Sequence, residues 1–317
     1  MNVDLILCPT DFSEASSRAF ACASSLADWY AARVTLLHVA QPVAAQVGAS
    51  RNGGGFGEDP GIDLAELRRQ IRRELPAAPA GAQVDVDAIP GNAKETIVGY
   101  ADSARPDLIV MGTRGAGGLR HLLLGSVTEA VLRAAICPVL AIPPGAGPNP
   151  TFPFRRLVCA TDFSASSFGA LRTAASLMRD AIGEVTVLNV IDDTDENELF
   201  VARPYNVHRH EVEREAQAME SLQQFTGRAL FGGPQPTLRV TRGRPEREIL
   251  AAAAELSADL IVLGVTGQND FHGRLFGSTT NSILRAAPCP VLTARLRQSA
   301  GTTPYNNEDA GAYCIGR

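Results

Sequence analysis

The sequence Gly112-Thr113-Arg114-Gly115, followed after nine residues by Gly125-Ser126, comes directly after the apolar run Leu108-Ile109-Val110-Met111. The same arrangement recurs 152 positions later, as Leu260 to Leu263, then Gly264-Val265-Thr266-Gly267, nine residues, and Gly277-Ser278. An apolar run without alternation is typical of a strand covered on both faces. Each copy therefore predicts a buried strand, a glycine-rich turn and the start of a helix.

Other segments repeat with nearly the same period. Cys8-Pro9-Thr10-Asp11-Phe12-Ser13 recurs as Cys159-Ala160-Thr161-Asp162-Phe163-Ser164, and Val34 to Val39 recurs as Val185 to Val190. A period near 150 residues is too long for a solenoid repeat and indicates a duplicated domain. We predict domains at 1–145 and 152–297, separated by the proline- and glycine-rich stretch 143–150, and a flexible tail at 298–317.

Short apolar runs alternate with longer helical stretches in each copy. In the first copy the runs are Leu5 to Leu7, Val34 to Val39, Val84 to Ala88, Leu108 to Met111 and Val139 to Ile142. Five strands alternating with helices predict an α/β fold of two doubly wound domains with parallel sheets and helices on both faces. The second copy has an amphipathic helix at 211–229, with an apolar side that includes Val212, Ala216 and Phe225. The first copy has instead an insertion at 41–61, which we interpret as a mobile loop.

Composition excludes several classes of protein. A net charge of −5 and a pI near 5.6 give no electrostatic basis for binding nucleic acid or an anionic membrane. Without a signal peptide, an apolar run of about 20 residues, or a CxxC or zinc spacing among the six cysteines, the chain is expected to be cytoplasmic with free thiols. Lys94 is the only lysine, so a phosphate site must use arginine, hydroxyls and backbone N–H groups.

The carboxyl ends of parallel strands are where such sheets bind ligands. Asp11 and Asp162 follow the first strand of each copy, where they could serve as N-caps or turn residues, or could accept hydrogen bonds from a ribose or an adenine. The end of the second strand, His38-Val39 or Asn189-Val190, could clasp an adenine ring. His38 has no histidine counterpart in the second copy and is not predicted to be catalytic; no catalytic residue is predicted.

The glycine pattern suits an anion. Glycines allow backbone N–H groups to approach a phosphate, and a helix that begins at Gly-Ser presents free N–H groups and a hydroxyl. The alternative is a pair of glycine-rich turns in which Ser126 and Ser278 are simple N-caps. The identical spacing in both copies favours the phosphate interpretation.

The combination of Gly-x2-Gly-x9-Gly-Ser, the first-strand aspartate and the closing Cys-Pro-Val-Leu resembles the universal stress protein family over nearly the whole chain. The resemblance implies five-stranded parallel sheets in the order 3-2-1-4-5 and, in the ATP-binding branch, an adenine nucleotide. The positions that it implies for the nucleotide are Pro9, Asp11, Val39, Met111, Gly112, Arg114, Gly115, Gly125, Ser126, Val127 and Thr128 in the first copy. In the second copy they are Asp162, Val190, Leu263, Gly264, Thr266, Gly267, Gly277, Ser278, Thr279 and Thr280.

The sequence departs from relatives that carry histidine just before the second glycine, because Arg114 and Thr266 stand there. The two nine-residue loops contain four basic residues: Arg120, His121, His272 and Arg274. These side chains either reach a triphosphate or face solvent. Family members commonly dimerise through their last strands, so we predict that Val139 to Ile142 and Val291 to Arg295 pair within the chain. A homodimer of the whole chain stays open.

The function expected from the resemblance is a nucleotide-dependent stress-response regulator that is sensed by an unidentified partner protein. A slow ATPase or phosphotransferase is the first alternative, and it is disfavoured because the sequence has no Walker lysine, kinase-type catalytic loop or metal-ligand cluster. A nucleotide-free structural adaptor is the second. Mg²⁺ would accompany ATP phosphates, although no dedicated set of protein ligands is predicted for it.

Overall fold

A computed structural model describes residues 2–40, 63–75, 81–115, 124–147, 152–179, 183–192, 207–229, 235–265 and 277–295. The predicted loop at 41–61 and the predicted tail at 298–317 lie outside these ranges. The elements of the first half are β1 (Leu5–Thr10), α1 (Glu14–Tyr30), β2 (Arg33–Ala40), α2 (Leu64–Glu74), β3 (Gln83–Pro90), α3 (Ala93–Ala104), β4 (Leu108–Gly112), α4 (Ser126–Ala134) and β5 (Val139–Ile142).

The second half repeats this order. Its elements are β6 (Arg156–Thr161), α5 (Ala165–Arg179), β7 (Glu184–Ile191), α6 (Val207–Gly227), β8 (Thr237–Arg242), α7 (Pro245–Glu255), β9 (Leu260–Gly264), α8 (Ser278–Ala286) and β10 (Val291–Ala294). The strands form one sheet of ten, in the order β3-β2-β1-β4-β5-β10-β9-β6-β7-β8. Each half therefore has the predicted order 3-2-1-4-5, with parallel neighbours throughout.

The two halves meet through their last strands. β5 and β10 pair antiparallel, with Leu140 opposite Leu292 and Val139 opposite Thr293. The Thr293 hydroxyl also donates a hydrogen bond of 3.3 Å to the carbonyl oxygen of Val139. This is the pairing expected from the sequence, and it covers one edge of each half-sheet.

Helices cover both faces of the sheet, and each face has a buried apolar cluster that runs through both halves. On one face Ile6, Phe20 and Leu140 of the first half belong to the same cluster as Leu171 and Leu292 of the second. On the other face Leu7, Ile109 and Ile97 join Ile283 and Val291. Successive strand residues alternate between these clusters, which is why the strands are apolar throughout.

Helix α6 departs from the sequence prediction. In its last turns Leu222 and Phe225 are almost inaccessible, but Val212 in the first part is 60% exposed and Ala216 is also exposed. The helix itself was predicted, but its apolar side is buried only in the second part and is exposed at Val212 and Ala216. A helix of 21 residues is about 31 Å long, whereas the six residues of β8 beside it span only about 20 Å.

No helix within the described ranges is long and apolar enough to cross a membrane. Cys8, Cys22, Cys137, Cys159 and Cys289 are free and buried, as the sequence predicts for these five. Cys314 lies outside the described residues.

Candidate functional site

The polar residues singled out from the sequence collect at the carboxyl ends of the strands, once in each half. In the first half β1 ends at Thr10 and β4 at Gly112, and helices α1 and α4 begin just beyond them. In the second half β6 and β9 end at Thr161 and Gly264, ahead of α5 and α8.

The turn after β1 is held by the carboxylate of Asp11. Its Oδ1 accepts hydrogen bonds from the backbone N–H and the hydroxyl of Ser13, at 3.1 and 2.6 Å. Ser13 is the N-cap of α1, where its hydroxyl accepts a hydrogen bond from the N–H of Ser16. Asp11 is thus a turn residue, and the alternative that it caps the helix was wrong. Asp162 repeats the turn, accepting a hydrogen bond of 3.0 Å from the N–H of Ser164.

The second oxygen of the Asp11 carboxylate faces the glycine motif. A Cβ placed on Gly115 would lie 2.6 Å from Asp11 Oδ2. The absence of a side chain at Gly115 therefore lets the loop after β4 approach this carboxylate. The structure brings these two predicted residues together, although they are 104 positions apart in the chain.

Gly112 and Gly264 have a packing role. A Cβ on Gly112 would lie 2.9 Å from the carbonyl carbon of Ala15, and a Cβ on Gly264 would lie 2.7 Å from the backbone nitrogen of Ser167. Contacts under about 3 Å with backbone atoms force a shift of the chain. Glycine is therefore required here so that the first helix of each half can approach the end of the fourth strand.

Gly125 and Gly277 occupy the N-cap positions of α4 and α8, and neither helix has a side-chain hydrogen bond at its cap. Ser126 and Ser278 are instead the first helical residues and are exposed, so the alternative that they act as N-caps was wrong. The backbone of both glycines has negative φ, near −60°. Neither position therefore requires glycine for a left-handed conformation. The first N–H groups of each helix are left without a side-chain acceptor at the positive end of the helix dipole.

The start of each of these helices is fixed to the strand before it. The hydroxyl of Thr128 donates a hydrogen bond of 2.9 Å to the carbonyl oxygen of Gly112, and Thr280 donates one of 3.0 Å to Gly264. Both threonines are buried. The N–H of Gly125 donates to the carbonyl oxygen of Thr113 at 2.9 Å. The two threonine hydroxyls therefore position the helix N-terminus.

The ends of the second strands are tied to the first strands in the same way. His38 Nδ1 lies 2.9 Å from the carbonyl oxygen of Thr10, and Asn189 Nδ2 donates a hydrogen bond of 2.9 Å to that of Thr161. The hydroxyl of Thr10 accepts a hydrogen bond from the N–H of Phe12, as Thr161 does from Phe163. Sequence reasoning missed these two threonines, although their recurrence in both copies was a usable signal.

The model of the universal stress protein family matches residues 2–143 and, separately, residues 153–295. The chain belongs to the universal stress protein family. Because the family model matches twice, it is a tandem member.

A universal stress protein of Mycolicibacterium smegmatis is 24% identical over 307 residues, which cover 92% of this chain and 97% of that protein. A shorter relative from Thermus aquaticus is 34% identical over 137 residues, 43% of this chain and 96% of the relative. The crystal structure of a universal stress protein from Archaeoglobus fulgidus covers 93% of this chain and 100% of its own, with a TM-score of 0.61 and 23% identity. It has the same fold.

The remaining residues predicted for the site of this universal stress protein differ in accessibility. Pro9, Met111, Leu263 and Val39 are buried, whereas Val190, Val127, Thr279 and Arg114 are partly exposed. Thr266 and Gly267 lie outside the described residues, as do Arg120, His121, His272 and Arg274. The second site of this universal stress protein is therefore described only up to Val265 and again from Gly277.

The buried cysteines beneath the sites are unsuited to nucleophilic chemistry. Burial, together with the neighbouring Cys22, raises the pKa of the Cys8 thiol well above its usual range, and burial raises the pKa of Cys159 to about 12. In the described part of the chain, no group of three or more His, Cys, Asp or Glu side chains could hold a metal ion.

Proposed function

We propose that this tandem universal stress protein binds an adenine nucleotide, ATP, with the phosphates at the N-terminus of α4 in the first half and of α8 in the second. The observation that carries the proposal is the pair of glycine N-caps, Gly125 and Gly277, which leave the first N–H groups of both helices without a side-chain acceptor. Phosphates bind at such helix starts because several N–H groups and the helix dipole act on the same anion.

The donors at these positions fit a phosphate. A Cβ on Gly277 would have its nearest neighbours at 3.6 Å, so this glycine is not imposed by packing and leaves room above the helix. The exposed hydroxyls of Ser126 and Ser278 add a donor beside the backbone N–H groups. In the first half, the loop between β4 and α4 also contains the guanidinium group of Arg114.

The carboxylates fit the other end of a nucleotide. Asp11 uses Oδ1 within its own turn, and its Oδ2 faces Gly115 at the surface between the two loops. A carboxylate accepts hydrogen bonds from the hydroxyls of a ribose. Asp11 and Asp162 would then hold the sugar, the glycine turns would hold the phosphates, and Mg²⁺ would be carried by the phosphates themselves.

The proposed role is regulatory. Binding at the N-termini of α4 and α8 would stabilise one arrangement of the two halves, which a partner protein recognises during stress. The continuous sheet supports this, because β5 and β10 join the two sites through hydrogen-bonded strands. Hydrolysis is not part of the proposal.

Isothermal titration calorimetry with Mg-ATP tests the proposal, using Ser126→Glu and Ser278→Glu. A glutamate in the first turn favours the helix but repels a phosphate at its N-terminus. Ser282→Glu is the matched control, since it places the same charge one turn further along α8 at another exposed serine. We expect two sites in the wild type and in the control, and one in each of the other variants. A folded wild type that binds no ATP would contradict the proposal and favour the adaptor.

A further inference from the structure

The peptide group between Gly264 and Val265, at the end of β9, is held on both sides by side chains from the two helices that begin beside it. Its carbonyl oxygen accepts a hydrogen bond of 3.0 Å from the hydroxyl of Thr280, in the first turn of α8. Its N–H donates a hydrogen bond of 2.9 Å to the hydroxyl of Ser166, in the first turn of α5. One peptide group therefore connects the start of α5 with the start of α8.

The corresponding peptide group of the first half, between Gly112 and Thr113, is held differently. A threonine hydroxyl again donates to its carbonyl oxygen, but its N–H donates a hydrogen bond of 3.1 Å to the backbone carbonyl oxygen of Ile142 in β5. Ala15, which has no hydroxyl, stands where the second half has Ser166. This N–H thus belongs to the sheet in the first half and is bonded to a helix side chain in the second.

The hydroxyl of Ser166 lies between the ends of two strands. It donates a longer hydrogen bond, of 3.5 Å, to the carbonyl oxygen of Ala294, the residue of β10 that is registered with Gly264. Ser166 is only 9% exposed, and a Cβ placed on Gly264 would lie 2.9 Å from its Oγ. Because the side chain lies beneath the turn, it can influence a ligand only through the position of Val265.

The turn that Ser166 holds is bonded in its own right to the proposed phosphate position. The carbonyl oxygen of Val265 accepts a hydrogen bond of 3.2 Å from the N–H of Gly277, the N-cap of α8. In the sequence Thr266 stands where the first half has Arg114, so the second half has no guanidinium at this position. A phosphate there depends more strongly on the placement of backbone N–H groups and hydroxyls.

We propose that Ser166 is a positioning residue of the second site, which fixes the turn after β9 relative to the N-terminus of α8 and thereby sets the phosphate affinity of this half. The inference rests on the proposed nucleotide sites and assigns to one of them an anchor that the other lacks. Without the hydroxyl, the N–H of Val265 would lose its buried acceptor or would move to the carbonyl oxygen of Ala294. In both cases the peptide group would no longer be held between the two helices.

The experiment uses isothermal titration calorimetry in the Ser126→Glu variant, where only the second site is available, and compares Mg-ATP with inorganic tripolyphosphate, a probe that has phosphates alone. Ser166→Ala removes the hydroxyl and introduces the residue that the first half has at this position, Ala15, so we expect the chain to fold. Thr173→Ala is the matched control, because it removes from the same helix a hydroxyl whose hydrogen bond of 2.9 Å goes to Gly169 within α5. Urea unfolding compares the stability of all the variants.

We expect Ser166→Ala to weaken the binding of ATP and of tripolyphosphate by about 10-fold each, the effect of one well-placed hydrogen bond. Thr173→Ala should leave both affinities unchanged. Unchanged affinities in Ser166→Ala, a loss for ATP without a loss for tripolyphosphate, or the same losses in the control would overturn the inference alone. A Ser126→Glu protein that binds neither ATP nor tripolyphosphate would overturn the proposed function of this half and the inference with it.

Discussion

Arg295, the residue after the last strand of the second half, donates a hydrogen bond of 2.7 Å from Nη2 to the carbonyl oxygen of Arg133 in the first half. Arg133 lies in the last turn of α4, so the guanidinium meets the negative end of the helix dipole. A similar approach occurs between the end of the first half and α8 of the second half. A Cβ placed on Gly145, which follows β5, would lie 2.6 Å from the carbonyl oxygen of Ala287, the C-cap of α8. The segment after each last strand therefore touches the C-terminal end of the last helix of the other half, α4 or α8.

Replacing Arg295 by methionine keeps most of the side-chain stem and removes this charged donor. We expect the free energy of unfolding to fall by about 1 kcal/mol, because the bond is charged but partly exposed. Urea unfolding would measure the change. Arg172→Met, at an exposed position of α5, is the control and should alter the free energy of unfolding by less than half as much. Equal effects of the two substitutions would remove the role assigned to Arg295.

The glycines of the second motif should respond differently to alanine. Gly264→Ala brings a Cβ to 2.7 Å from the backbone of α5 and should lower the free energy of unfolding by about 2 kcal/mol or more. Gly277→Ala meets only ordinary contacts and should cost at most about 1 kcal/mol, as a change of N-cap residue. Thermal and urea unfolding of both variants would check this, and the reverse order of stability would contradict it.

The hydroxyl of Thr280 should matter more than its methyl group. Thr280→Val removes the hydrogen bond to Gly264 and leaves a partly buried carbonyl oxygen with one partner fewer, which should cost about 1 kcal/mol of stability. The N-terminus of α8 would then be less firmly positioned, and ATP affinity in the second half should fall with it. Thr280→Ser keeps the hydroxyl and should restore both quantities. If serine and valine gave the same affinity, positioning by this bond would be excluded.

Much of the fold follows from local patterns in the chain. β5 was predicted at Val139 to Ile142 with its observed bounds, because an apolar run between a proline and a Pro-Pro pair has few alternatives. The order of the strands and the pairing of β5 with β10 both came from the resemblance, and the pairing also covers two strand edges that would otherwise be exposed. The duplication of the domain was the most informative signal for the fold, because each motif occurs twice in the sequence.

Other features depend on contacts between distant residues. Val212 is exposed in a helix of 21 residues that lies beside a strand of six, and periodicity within the helix does not report this difference in length. Asp11 was ambiguous between N-cap and turn because the two roles share residue preferences. The equivalence of His38 and Asn189 was hidden by their different chemistry and requires the register of β1 with β2 and of β6 with β7.

The buried thiol of Cys22 predicts a pH dependence of stability. Burial raises its pKa from 9.0 to about 12 in the folded chain, so the folded state keeps a proton that the unfolded state loses above pH 9. The stabilisation is fully present below pH 9 and is lost as the pH rises towards the folded pKa. Over that range the free energy of unfolding should decrease by up to about 1.4 kcal/mol per pH unit for this thiol.

Urea unfolding at pH 8, 9.5 and 10.5 would measure this contribution. Cys22→Ala removes the thiol, so the free energy of unfolding should decrease less steeply with pH in this variant than in the wild type. Thr173→Ala changes the residue that stands at the matching position of the second half and does not titrate, so its slope should equal that of the wild type. Equal slopes for Cys22→Ala and Thr173→Ala would show that Cys22 ionises no differently in the folded and unfolded states, because only a difference in proton binding between those states produces a slope.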